Sequence, residues 1–192
     1  MSICTHSISY VHIPKTAGTS ILEWVRTVAP VIQEWETHPK NSVLKNVCPN
    51  NVTFTVIRNP WDRMVSAYHY LRQLSLPEGS SWLSINCITE ENFPTFEDWI
   101  LNLHNYQNPE AYWFRPETPQ SLWLDAPVEI ILRYETLVED FVQIQELFSN
   151  KIELPHHYKS KRSNYKDYYN DVTKSIVASL NESDIDLFKY TY

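Results

Sequence analysis

"YVHIPKTAGTSILEW", residues 10–24, decides the fold. Its left half continues SISYVHI (7–13), a run rich in β-branched and aromatic residues that predicts a strand. To its right, Ile21, Leu22, Val25, Val28 and Ala29 recur at helical spacing until Pro30 closes the run. Between them lie Pro14, Lys15, Thr16, Ala17, Gly18, Thr19 and Ser20. The chain has two glycines in 192 residues, where average usage would supply about thirteen. A glycine spent at this junction predicts a backbone that must come close to a ligand. A helix N-terminus offers unpaired N–H groups and the positive end of its dipole. Lys15 adds a point charge, and Thr16, Thr19 and Ser20 add hydroxyl donors. The layout is that of a phosphate loop without the Walker order G-x-x-x-x-G-K-[ST], because Lys15 precedes the glycine. An ordinary NTPase therefore fits poorly.

The same layout recurs downstream. VTFTVI (52–57) predicts a second strand, and Asn59-Pro60-Trp61-Asp62 opens a helix with Asn as N-cap, Pro at the first position and an acid in the first turn. Trp61, Met64, Val65, Tyr68 and Leu71 form its apolar stripe. Arg58 stands just before the helix, and Ser66 about two turns in lies off that stripe. An arginine suits a two-bonded phosphate contact and a serine hydroxyl a further one. Taken singly, they read equally as a capping arginine and a solvated serine. Two phosphate-sized sites, each following a strand, point to a nucleotide with phosphates at both ends of its ribose.

Farther on, TFEDWILNLHN (95–105) predicts a helix, and residues 74–94 and 106–127 read as irregular, the latter rich in proline and aromatic residues. VEIILR (128–133) is a nearly continuous apolar run, as expected of a strand buried on both faces. A helix is expected after it to about Ser149, and short helices finish the chain. Strands alternating with helices predict an α/β fold, a P-loop-like parallel β-sheet flanked by helices. At 192 residues a single compact domain, 1–192, is expected.

Charge narrows the partners. Net charge is −7, yet residues 1–73 hold seven Lys and Arg against four Asp and Glu, and residues 74–192 hold nine against nineteen. A non-specific nucleic-acid binder would need a basic footprint, so no nucleic-acid partner is expected. Basic groups kept against the acidic trend suit a small anion. Three cysteines at no metal-binding spacing predict reduced thiols and no disulfide framework. No stretch reads as a signal peptide or membrane span, so a soluble, cytoplasmic protein is expected, with no membrane partner.

"HIPKTAGTS" followed by "VIRNPWDRMVSAY" resembles the sulfotransferase superfamily, in particular the carbohydrate-type branch of bacteria, their viruses and the Golgi. "ILRYETLVEDF" (131–141) and the basic "LPHHYKSKRSNYKDYY" (154–169) resemble further elements of these proteins. Their donor is 3′-phosphoadenosine 5′-phosphosulfate (PAPS), which becomes PAP, the 3′,5′-bisphosphate. The resemblance implies that Lys15, Thr16, Ala17, Gly18, Thr19 and Ser20 hold the 5′-phosphosulfate and that Arg58 and Ser66 hold the 3′-phosphate. It also implies that Lys161, Arg162 and Tyr165 contact phosphate and adenine, although a basic surface loop is an equal reading of that segment.

Sulfuryl transfer to a hydroxyl needs in-line oxygens, charge stabilisation at the leaving oxygen and a base. Lys15 is the expected electrostatic catalyst, and no metal is expected. Related enzymes carry a His or Glu base in the region after the first helix, which implies His38 first and Glu36 second; an exposed loop histidine is the plain alternative. His69 lies near the polar face of the second motif's helix and is a candidate base or substrate contact. His12 is expected to pack or to orient Lys15, while His104, His156 and His157 have no context beyond polar surface. In "NYQNPEAYWFRPETPQSLW" (105–123), Tyr112, Trp113, Arg115 and Gln120 are candidate acceptor contacts, Arg115 suiting an anionic sugar, with loop packing as the alternative. The expected reaction moves the sulfuryl group of PAPS to a hydroxyl, the acceptor a small molecule or saccharide. A non-catalytic module that binds a nucleotide or sulfated glycan, and an unusual nucleotide kinase, are the competing readings.

Overall fold

A computed structural model describes residues 1–74, 95–103, 116–155 and 162–192. The chain forms two compact units, Met1–Arg58 with Gln120–Lys159, and Asn59–Pro119 with Ser160–Tyr192.

The first unit is built on a five-stranded sheet. In chain order its elements are β1 (Ser2–Thr5), β2 (Ile8–Val11), α1 (Gly18–Val28), β3 (Val31–Trp35), α2 (Asn41–Val47), β4 (Val52–Ile57) and β5 (Ile130–Arg133), with α5 (Leu137–Asp140) and α6 (Val142–Leu147) after β5. Strand order is β3-β1-β2-β4-β5. β2, β4 and β5 run parallel, Val11 opposite Thr55 and Ile57 opposite Arg133. β1 is antiparallel to both β2 and β3. The sheet is therefore mixed, where alternation along the sequence predicts an all-parallel one. β1 joins β2 through a tight turn in which the Thr5 hydroxyl oxygen accepts the N–H groups of Ser7 and Ile8. A two-residue connection of this kind allows only an antiparallel pair.

Ile3, Ile8, Tyr10, Phe54, Val56 and Leu132 from the sheet pack with Ile21, Leu22, Trp24 and Val25 of α1 and with Phe141 and Ile144. The apolar run ending in β5 departs from expectation. Among the described residues β5 is an edge strand, paired only with β4, and Ile131 is 43% exposed. Continuous apolarity does not distinguish a central strand from an edge strand.

The second unit is helical: α3 (Pro60–Leu74), α4 (Phe96–Leu101), α7 (Asp171–Leu180) and α8 (Glu182–Phe188). α3 begins where the sequence predicts, with the Asn59 carboxamide oxygen accepting the N–H of Trp61 at 3.1 Å. Trp61, Met64, Val65, Tyr68 and Leu71 are all buried, against Phe96, Trp99, Ile100 and Val177. α4 starts at a Thr95/Asp98 capping box and α7 at an Asn170/Thr173 box, each satisfying two otherwise orphaned donors. No described helix is long and apolar enough to cross a membrane.

Candidate active site

Parallel pairing of β2 and β4 decides the site, because neighbouring parallel strands deliver their C-terminal ends to the same edge of the sheet. β2 releases the loop that carries Lys15, and β4 releases Arg58. The Thr55 hydroxyl donates to the Val11 carbonyl at 2.8 Å and ties the two strand ends together. The Arg58 guanidinium then donates through Nη1 to the Lys15 carbonyl at 3.0 Å and lies over the Tyr134 ring, 3.8 Å from its centroid. Arg58 is itself buried.

The loop is held in a wound shape. Lys15 and Ala17 both have φ near 69°, in the left-handed region that costs an L-residue energy. Two such residues one apart curl the main chain as it enters α1, the kind of turn from which successive N–H groups form anion-binding concavities. The Thr16 hydroxyl donates to the Ile13 carbonyl at 2.8 Å, and Thr16 is fully buried. Its side chain therefore shapes the loop. Ala17 is the N-cap of α1 and has no side-chain acceptor, although Ala is among the poorest residues there. The first intrahelical bond runs from the Ile21 N–H to the Ala17 carbonyl at 3.2 Å. The first turn of the helix thus receives no cap from the chemistry that usually supplies one.

Lys15 is half-buried. Loss of solvent, and then the neighbouring Arg58 charge, lower its ammonium pKa from 10.5 to about 7. An anion at this position would restore the charged form. Ser20 is buried and Thr19 exposed on the first turn of α1.

Gly18 does not owe its identity to a left-handed backbone. Its φ is not positive. A Cβ at this position would lie 1.7 Å from Nε2 of His12 and 2.2 Å from both adjacent ring carbons. The side chain of His12 occupies the space that a larger residue 18 would need.

His12 is buried and donates from Nδ1 to the Met1 carbonyl at 2.8 Å, which leaves Nε2 as the lone-pair nitrogen. Burial first, and then the nearby His38, hold its pKa well below 6.5. His38 donates from Nδ1 to the His12 carbonyl at 2.9 Å, and the two rings meet edge to face at 4.5 Å between centroids. Trp123 Nε1 donates to the His38 carbonyl at 3.1 Å. With Nδ1 as the donor in the bond to the His12 carbonyl, the lone pair of a neutral His38 ring falls on Nε2, which faces the Met1 amino group at 3.4 Å. Glu36 is exposed just after β3.

Gln120, expected at the acceptor, is fully buried. Its carboxamide oxygen accepts the Arg58 N–H at 2.9 Å, and its Nε2 donates to the Arg58 carbonyl at 2.8 Å. It pairs with Arg58 as a neighbouring strand would, which positions that residue. Tyr134 is a site neighbour that sequence reading passed over; its only signal was an aromatic residue immediately after a strand, within the ILRYETLVEDF element.

The remaining expected residues belong to the second unit. Ser66 is half-buried on α3. His69 Nε2 and the Tyr168 hydroxyl lie 2.8 Å apart, and burial, followed by the Arg162 and Arg72 charges, lowers the His69 pKa. Arg162 forms an ion pair with Asp62. Tyr165 meets the Tyr192 ring edge to face at 5.8 Å. Arg115 and Lys161 lie outside the described residues, as do Tyr112, Trp113, His104, His156 and His157.

Comparison with known proteins then bears on identity. No curated protein matches the sequence. Among solved structures, the chain is similar to a sulfotransferase from Alicyclobacillus acidocaldarius, with 12% identity and a TM-score of 0.40. That match covers 79% of this chain and 60% of the other. Residues 3–191 match the profile of the sulfotransferase family. The chain accordingly belongs to the sulfotransferase family.

Proposed function

We propose that this chain transfers the sulfuryl group of PAPS to a hydroxyl of a small acceptor, a saccharide in the first instance, yielding PAP and a sulfate ester. The observation that carries the reading is Lys15. It is a half-buried lysine with a pKa lowered to about 7, on a wound loop leading into a helix whose N-cap has no side-chain acceptor. A cation kept at such a cost is stabilised when an anion arrives.

In this reading the 5′-phosphosulfate lies at the first turn of α1, where N–H groups and the helix dipole favour negative charge. The acceptor oxygen attacks sulfur in line, and the new O–S bond forms as the bond between sulfur and the bridging oxygen breaks. The electron pair leaves on the 5′-phosphate, where the Lys15 ammonium stabilises it. The acceptor proton passes to a base. His38, whose Nδ1 is bonded to the His12 carbonyl, is the first candidate for this base, and Glu36 is the second. The Arg58 guanidinium, which donates through Nη1 to the Lys15 carbonyl, suits a phosphate by its charge and planar fork, and we assign it to the 3′-phosphate. The sequence resemblance assigns Ser66 to the same phosphate and Lys161, Arg162 and Tyr165 to phosphate and adenine, while His69 and Arg115 are acceptor candidates by their position and side-chain chemistry.

Calorimetric titration with PAP tests the reading, using adenosine 5′-phosphate as control and the Lys15→Ala and Arg58→Ala variants. PAP should bind more tightly than the control and lose affinity in both variants. A folded protein that binds neither nucleotide would refute it. Incubation with labelled PAPS and a panel of saccharides then identifies the acceptor.

A further inference from the structure

Residue 18 admits two physical explanations. A ligand approaching the backbone would require glycine there, and so would a side chain already filling the space. These predict different behaviour, because only the second depends on His12.

We propose that His12 is a positioning residue that sets the donor loop, and that residue 18 is glycine because the His12 ring occupies its Cβ position. The inference deepens the reading of this loop as the PAPS site and rests on it. Three observations meet here. The ring is anchored at one end by the 2.8 Å bond from Nδ1 to the Met1 carbonyl. Its other end, Nε2, lies 1.7 Å from where a residue-18 Cβ would be, against the first residue of α1. Its main chain is tied to the other side of the site by the bond from His38. His12 thus acts as a gauge between the sheet and α1. The distance from the Met1 carbonyl to the first helical turn is one imidazole, and that distance sets where the N–H groups of residues 18–20 stand.

The gauge makes an unusual prediction about alanine. Gly18 has no positive φ and stands at the first position of a helix, where alanine is intrinsically better than glycine. Gly18→Ala should therefore be harmless unless His12 blocks it. Asparagine at position 12 retains an N–H that reaches the Met1 carbonyl and lacks the atoms corresponding to Nε2. His12→Asn should keep the anchor and free the Cβ space.

The test is a cycle of Gly18→Ala, His12→Asn and the double variant, read by calorimetric PAP affinity and by thermal unfolding. His12→Ala is added as a variant without the anchor. Gly18→Ala alone should weaken PAP binding roughly tenfold or more and lower Tm, as overpacking does. His12→Asn should bind more tightly than His12→Ala, a rescue that a merely space-filling role would not show. The double variant should bind within about twofold of His12→Asn, with its Tm recovered from that of Gly18→Ala, so that the two changes are strongly non-additive. Additive losses would overturn the proposal and return Gly18 to the ligand. Wild-type protein that binds no PAP overturns the donor reading instead, and Tm of the same four variants still decides the coupling of His12 and Gly18.

Discussion

Raising the pH from about 7 to about 8.5 should weaken PAP binding, and the size of the loss follows from Lys15. In the free protein its pKa is about 7, through burial and then the Arg58 charge. A bound phosphate reverses both effects and moves the group back toward its ordinary 10.5. The sign follows directly. At about pH 7 half of the free protein already carries the ammonium, whereas at about pH 8.5 nearly all must take up a proton to bind. For a shift between these two values, linkage gives a loss of roughly 15-fold over that interval, about 1.6 kcal/mol. Proton uptake per bound PAP rises from about one half to about one across the same interval. His12 is held well below 6.5 and stays neutral throughout. The second ionisation of a phosphate monoester lies near 6, and its residual contribution has the opposite sign. Calorimetry in buffers of different ionisation enthalpy reads the uptake directly, and Lys15→Met should abolish both the uptake and the pH slope. Equal affinity at the two pH values, or an unchanged slope in Lys15→Met, would refute the reasoning.

Three further outcomes are expected. Gln120→Leu leaves both the N–H and the carbonyl of Arg58 without their partner and should cost about 2–4 kcal/mol in unfolding free energy; denaturant unfolding indistinguishable from wild type would remove the positioning role. Tyr134→Leu deletes the ring beneath the Arg58 guanidinium, worth about 0.5–2 kcal/mol, and should raise the PAP dissociation constant between about twofold and thirtyfold while Tyr134→Phe remains near wild type. A double-mutant cycle with Asp62→Asn and Arg162→Met should show a coupling of about 1–3 kcal/mol in stability, since both charged side chains are largely shielded from water. Singles that sum to the double would leave that ion pair energetically silent.

Much of the site was legible because its signals are local. A β-branched run, a glycine, hydroxyl residues and a helical apolar stripe occupy fifteen consecutive residues, and each follows from backbone preference or side-chain chemistry within a few positions. Strand 52–57 and the cap at Asn59 were legible for the same reason. What escaped were partners distant in sequence. Gln120 reads as a loop amide, and only 62 residues of separation closed in space reveal it as the strand-like partner of Arg58. β1 and β3 escaped as well, since SICT and VIQEW are short and acquire their identity by pairing with each other and with β2.

The amino-acid sequence by itself determined the α/β class, the two strand-to-helix turns and the lysine and arginine they carry, because those depend on neighbours along the chain. The tertiary structure decided which strand ends stand side by side, why Thr16 is turned inward, and why residue 18 is glycine. A glycine in sequence records only that a side chain is missing. Whether a ligand or another residue needs the room is a question of what folding brings within 2 Å of it, and here it brings the ring of His12.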